Sequence, residues 1–242
     1  MPRAQCNPES RVGVVEIEDM GSGTVYAYAH LRDRPAPWLG APTLSSTTCA
    51  FHVAAGSCEC TVPQVCAHPA GCADAPVSAA QLRLVLEADG MEQVFSAVEG
   101  VDDVGGLVTL PGNTFSVQLR SATRTINLGA TVIPAALQGI TGSLAGGLDT
   151  PTALDVTWTP GPADTAVFTR IPINHHAAAD TFTECSVDAP VGSLHVDQAM
   201  LQPLAVHTGL EFQGLFHGRF AAAELPEGCV EIRFFTRQFV SL

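Results

Sequence analysis

Leu154-Asp155-Val156-Thr157-Trp158 alternates apolar and polar residues and is closed by the turn residues Pro160-Gly161-Pro162. A period of two places Leu154, Val156 and Trp158 on one face and Asp155 and Thr157 on the other, the pattern of a half-buried strand with Trp158 in a core between two sheets. The same short, β-branched or alternating run recurs at Val12 to Ile17, Val25 to Tyr28, Leu82 to Leu86, Phe115 to Leu119 and Val230 to Phe234. Turn signals stand at Met20-Gly21-Ser22-Gly23, Ala88-Asp89-Gly90 and Pro111-Gly112-Asn113. With 22 Gly and 17 Pro there is little room for helices, and the one expected runs from Asp197, as cap, to Gln202, stopped by Pro203. Many short strands with few helices predict an all-β chain of tandem antiparallel β-sandwiches, immunoglobulin-like or jelly-roll-like.

The stretch Gln138 to Pro151 is rich in Gly and Thr and poor in packing residues, and it reads as a linker. It divides the chain into an N-terminal sandwich over 1–140 and a C-terminal sandwich over 151–242. Six of the eight cysteines, Cys6, Cys49, Cys58, Cys60, Cys66 and Cys72, precede the linker, and Cys185 and Cys229 follow it. That split predicts pairing among the first six and a Cys185–Cys229 bridge in the second part; sequence alone does not choose among the connectivities of the six. The segment Gly40 to Pro76 has too little apolar periodicity for a core of its own, so its order is expected to depend on disulfides.

An even cysteine count with this crowding favours an oxidising compartment over a cytosolic zinc site. The spacing Cys58-x-Cys60, five residues to Cys66 and five to Cys72, fits no common zinc knuckle, and the absence of C-x-x-C removes the thioredoxin and c-type haem motifs. Met1 to Gln5 lacks the apolar core of a signal peptide, so an exported reading implies a leader already removed. No apolar run approaches the roughly 20 residues of a membrane helix.

The net charge of −13, from 24 acidic residues against 11 arginines and no lysine, opposes binding to nucleic acid and to anionic membranes. Without lysine, Schiff-base catalysis and a Walker-type phosphate loop are excluded.

Several punctuation marks recur together: Leu110-Pro111-Gly112 ahead of a strand, Ala130 to Pro134, Leu154 to Gly161, then Cys185-x-x-Asp188-x-x-x-Gly192-Ser193 leading to a short helix. In these the stretch Gly106 to Arg237 resembles the uncharacterised secreted β-sandwich proteins and lipoproteins of high-GC Gram-negative bacteria. The resemblance implies export and a sandwich fold, and brings no catalytic residues. Cys6 lies near the N-terminus, but Arg3-Ala4-Gln5 is not the lipobox of a lipoprotein.

Gly142-Ser143-Leu144-Ala145-Gly146 has Thr141 and Ala145 where the two glycines of a nucleophile elbow must stand, and it precedes no helix. His195-Val196-Asp197 puts two polar side chains on one strand face, as a base or ligand or as a solvent-facing strand end. His175-His176 could serve a Zn or Cu site only from a loop, and Asp102-Asp103 lacks the spacing of a dedicated Ca²⁺ loop. Phe234-Phe235 and Phe239-Val240 can supply a final strand at a sheet edge, open to self-assembly. Trp38, in the proline-flanked loop Ala36 to Gly40, is the candidate partner-binding residue. The expectation is therefore a non-enzyme without metal or organic cofactor, an exported or cell-surface module presenting loops and edges to a protein or glycan. The alternatives are a surface-filament subunit and a secreted hydrolase or metal-dependent enzyme.

Overall fold

The computed structural model describes residues 6–55, 58–69, 71–97, 103–112, 114–147, 149–173, 181–205 and 214–240. In chain order its elements are β1 (Arg11–Gly21), β2 (Thr24–Leu31), β3 (Leu44–Ser45), β4 (Cys49–His52), β5 (Gln64–Cys66), β6 (Cys72–Asp74), β7 (Arg83–Ala88), β8 (Met91–Ser96), β9 (Asp103–Thr109) and β10 (Thr114–Arg120). There follow β11 (Thr125–Val132), β12 (Thr141–Ala145), β13 (Ala153–Thr157), β14 (Ala166–Pro172), β15 (Phe182–Asp188), β16 (Ser193–Asp197), α1 (Gln198–Ala205), β17 (Leu215–Leu225) and β18 (Gly228–Gln238). Each alternating run named above coincides with one of these strands to within a residue, and the chain is all-β with disulfides. Among the described residues no helix is long and apolar enough to cross a membrane.

Nine strands form one sheet in the order β3-β4-β15-β14-β17-β18-β1-β2-β9. A four-stranded sheet, β11-β10-β7-β8, and a three-stranded sheet, β12-β13-β16, pack against it. The first core lies between the four-stranded sheet and β18-β1-β2-β9, and holds Val15, Ile17, Leu84, Leu86, Phe115, Ile232 and Phe234. The second lies between the three-stranded sheet and β4-β15-β14-β17, and holds Leu154, Val156, Trp158, Val167, Ile171, Leu194 and Leu201. Trp158 is buried as expected, and its Nε1–H donates to the Ala189 carbonyl at 2.8 Å. Both cores are on the same side of the long sheet. The register Val167–His217–Thr236 crosses β14, β17 and β18 on the side that Phe234 occupies two residues earlier.

Three expectations are corrected here. The boundary at 138–151 does not separate the sheets, because the nine-stranded sheet draws strands from both sides of it and β1 pairs in parallel with β18. The disulfides follow that sheet: Cys6–Cys229 and Cys49–Cys185 cross the boundary, so Cys185 and Cys229 do not pair with each other. Gln138 to Pro151 is also not merely a linker, since β12 lies within it and pairs with β13 from Thr141↔Thr157 to Ala145↔Ala153. Its small residues suffice because only Gly142 and Leu144 turn toward the core.

The final strand is not an edge either: β18 carries Phe234 and Phe235 and is paired on both sides, by β17 and β1, which leaves β3 and β9 at the margins. Phe239 lies beyond it, exposed. The helix continues past Pro203 to Ala205, because burial of Leu204 in the second core offsets the missing backbone donor late in the helix. Within Gly40 to Pro76, β4 joins the long sheet while β5 and β6 form a hairpin tied by Cys58–Cys66 and Cys60–Cys72.

Candidate functional site

With both cores on one side, the other face of the nine-stranded sheet carries the alternate residues. In β1 these are Val14, Glu16 and Glu18; in β18, Glu231, Arg233, Phe235 and Arg237; in β2, Tyr26, Tyr28 and His30. In β14 they are Phe168 and Arg170, and in β15 Phe182, Glu184 and Ser186. Four strand steps separate β15 from β1, about 19 Å on a flat sheet. Yet Arg11 Nη2 stands 3.5 Å from Glu184 Oε2. The sheet is therefore curled, and this face is concave.

An ion network holds the curl. Arg11 pairs with Glu231 at 2.6 Å, and Arg233 reaches Glu231 through Nε at 2.6 Å and Glu16 through Nη1 at 2.8 Å. Glu231 is fully buried and Arg233 is 8% exposed. Burial opposes the charge on Arg233, but Glu231, Glu16 and Glu184 outweigh it and raise the guanidinium's pKa above its usual value. Burial likewise pushes the Glu184 carboxyl up, and Arg11, Arg170 and Arg233 more than reverse it, holding the group below the usual carboxylate range. Arg237 grips Glu18 through Nε and Nη2, both at 3.0 Å.

Cations also lie over aromatic rings: Arg170 over Phe182 at 3.7 Å, Arg233 over Phe168 at 4.8 Å and Arg237 over Phe216 at 5.1 Å. Gly218 makes room for this floor, since a Cβ there would stand 2.5 Å from the Phe234 carbonyl and 2.9 Å from Phe235 Cβ.

Two cavities open on this face, of about 300 and 220 Å³, and both are lined by Glu16, Arg170 and Arg233. They form one groove. Its larger end is walled by Trp38, Tyr28, His30, Arg32 and Phe182, its smaller end by Phe168, Phe216, Phe235 and Arg237. At the larger end the Tyr28 hydroxyl donates to Asp103 Oδ2 at 2.8 Å, and His30 Nδ1 lies 3.3 Å from the same hydroxyl. Because that hydroxyl proton is spent on Asp103, His30 donates from Nδ1. Burial and the nearby Arg32 lower His30 to about 4, so the imidazole is neutral at physiological pH. Burial and the Asp103 contact push the Tyr28 phenol up, so it stays protonated. A further cavity of about 420 Å³, between Arg32, Val77 to Ala80 and the Arg124–Glu227 pair, is lined by no aromatic ring among the described residues.

Trp38 thus lines the groove; the other sequence candidates lie elsewhere. Ser143, Asp155 and His195 stand abreast on the outer face of the three-stranded sheet, with His195 Nδ1 2.7 Å from Asp155 Oδ1. A hydrolytic relay needs the imidazole between the serine and the acid. Here the acid is in the middle, with the serine two strand spacings from the histidine, so the relay cannot form. Asp197 shares that exposed face and leads into α1. His175, His176 and Asp102 lie outside the described residues. Asp103 is the acceptor for Tyr28. Among the described residues one group is close enough to share a metal ion, Cys58, Cys60 and Cys66, and all three are held in disulfides.

The arginines and glutamates of the groove were missed by sequence reasoning. A signal was present: Glu16 and Glu18 alternate within an apolar first strand, and Glu231, Arg233 and Arg237 within an apolar last one, so the two strands carry complementary charge. No protein-family model matches the chain, and no curated protein matches it.

Proposed function

We propose that the protein is a non-catalytic, extracytoplasmic binding module whose concave sheet face holds a glycan. The observation that carries this reading is the groove, in which aromatic rings and planar charged side chains face a cavity large enough for one or two sugar units. Sugars are recognised by such pairings, with ring faces stacking on aromatics and hydroxyls meeting fixed donors and acceptors. A peptide fits less well. Strand addition needs an exposed edge, whereas the backbone amides and carbonyls under this groove are spent on interstrand bonds. An extracytoplasmic setting is supported by the pairing of all eight cysteines in four disulfides, which persist in oxidising compartments. This reading moves the recognition surface from loops and edges to the sheet face.

The test is tryptophan fluorescence of the oxidised protein titrated with a panel of neutral and acidic oligosaccharides. The chain has two tryptophans, of which Trp158 is buried and Trp38 lines the groove. A binding sugar should shift the emission, and Trp38→Ala should remove the shift and weaken affinity about ten-fold or more. Absence of any response across the panel, with the chain shown to be folded, would sink the reading.

A further inference from the structure

Among the groove's arginines one stands apart. Arg11, Arg233 and Arg237 are in ion pairs, and Arg170 lies over Phe182 close enough to Glu184 to lower its pKa. Arg32 is half-buried, and among the described residues it has no carboxylate partner; its contact is the ring of Trp38, with Cζ 5.8 Å from the centroid. The nearby acids are committed. Asp103 accepts from Tyr28 at 2.8 Å, Asp33 accepts from Arg34 and from the Val77 N–H, both at 2.8 Å, and Glu16 is taken by Arg233. In a chain with 24 acids to 11 arginines, a half-buried guanidinium left without a carboxylate is a site that an external one would complete.

The position of Trp38 specifies what carries that carboxylate. In a hexuronate the carboxylate is bonded directly to the pyranose ring, so ring face and charge are one bond apart. Arg32 overhangs the Trp38 ring, so a sugar ring packed on the part of the indole it leaves uncovered would have such a group beside the guanidinium, whose planar fork takes a carboxylate through two parallel N–H bonds. We propose that the sugar held in this groove is a hexuronate, its ring on Trp38 and its carboxylate on Arg32; this rests on the glycan reading above. The acidic surface opposes a polyanion at long range, but screening limits that repulsion to about 8 Å at physiological ionic strength, which leaves the contact with Arg32 to decide.

The experiment compares short oligogalacturonates with the same oligosaccharides methyl-esterified, by calorimetric titration of the full oxidised chain at physiological salt. The acid form should bind about ten-fold or more tightly than the ester, and Arg32→Gln should remove that difference by weakening the acid alone. Equal affinity of acid and ester for the unaltered protein, or an undiminished preference in Arg32→Gln, overturns the hexuronate and leaves the glycan groove standing. Failure of every oligosaccharide to bind overturns both. Should Arg32→Gln not fold, the acid against ester comparison on the unaltered chain decides by itself.

Discussion

Removing the Cys6–Cys229 bridge by a double Cys→Ser replacement tests the topology most directly. The bond spans 223 residues and ties the segment just before the first strand to the last strand beside the register position Arg11↔Cys229, where a parallel pair can have no turn to close it. In the chain-entropy estimate a loop of that length restricts the unfolded chain by about 5 kcal/mol. For a chain of this size each kcal/mol corresponds to roughly 2–4 °C, so Tm should fall by about 10–20 °C in calorimetry if unfolding is cooperative. The Cys58–Cys66 bridge is the contrast. It closes 8 residues within the β5–β6 segment, so its loss should loosen that hairpin and leave the main transition nearly in place. A non-reducing peptide map that joins Cys185 to Cys229, or a fall in Tm below about 3 °C for the Cys6–Cys229 variant, would refute the reasoning.

Glu231→Ala leaves Arg11 with Glu184 and Arg233 with Glu16 around a buried gap, and should cost about 3 kcal/mol in urea unfolding; a loss under about 1 would show the network to be incidental. Trp158→Phe gives up the hydrogen bond to the Ala189 carbonyl and should cost about 1–2 kcal/mol by the same measurement. Stability should also depend on pH through His30. Its folded-state pKa lies near 4 against 6.5 unfolded, so the unfolded chain takes up the proton first and stability falls as pH drops from about 6.5 to 4. The loss is at most about 3 kcal/mol, flat below that window, and His30→Gln should reduce the slope; an unchanged slope would show the imidazole to be solvated in the fold.

The strands were legible because alternation is a local property. Val12 to Ile17, Leu82 to Leu86, Phe115 to Leu119, Leu154 to Trp158 and Val230 to Phe234 each coincide with a strand to within a residue, with alternate apolar residues turned to a core. Partnership is not local, and it was there that the reading failed. Nothing in the spacing of Cys6 and Cys229 tells that β1 will lie parallel to β18, and the division of the cysteines into six before and two after residues 138–151 suited a boundary that the sheet does not follow. Trp38 was identified because a tryptophan between prolines invites a question. Arg170, Arg233 and Glu16 were not, because a charged residue at an alternate strand position ordinarily faces water. Only the curl of the long sheet turns those positions inward.

The curl also explains why a chain with two ample apolar cores keeps charges on the opposite face of its long sheet. A hydrophobic seam between the halves of the concave face would close it, as the phenylalanines of the floor already tend to do: Phe168, Phe216 and Phe235 form a small cluster of their own. Ion pairs set a distance and a register instead. Arg233 meets Glu231 and Glu16 on β18 and β1, and Arg11 reaches across to Glu184 on β15, so a shift of one residue in the β1–β18 pairing would turn these charges into the apolar core. Such a network adds little net stability over apolar packing, but its directional bonds hold the walls apart at one spacing. A groove of fixed width with its donors already placed is what binding a polar ligand requires, since the ordering has been completed before the ligand arrives.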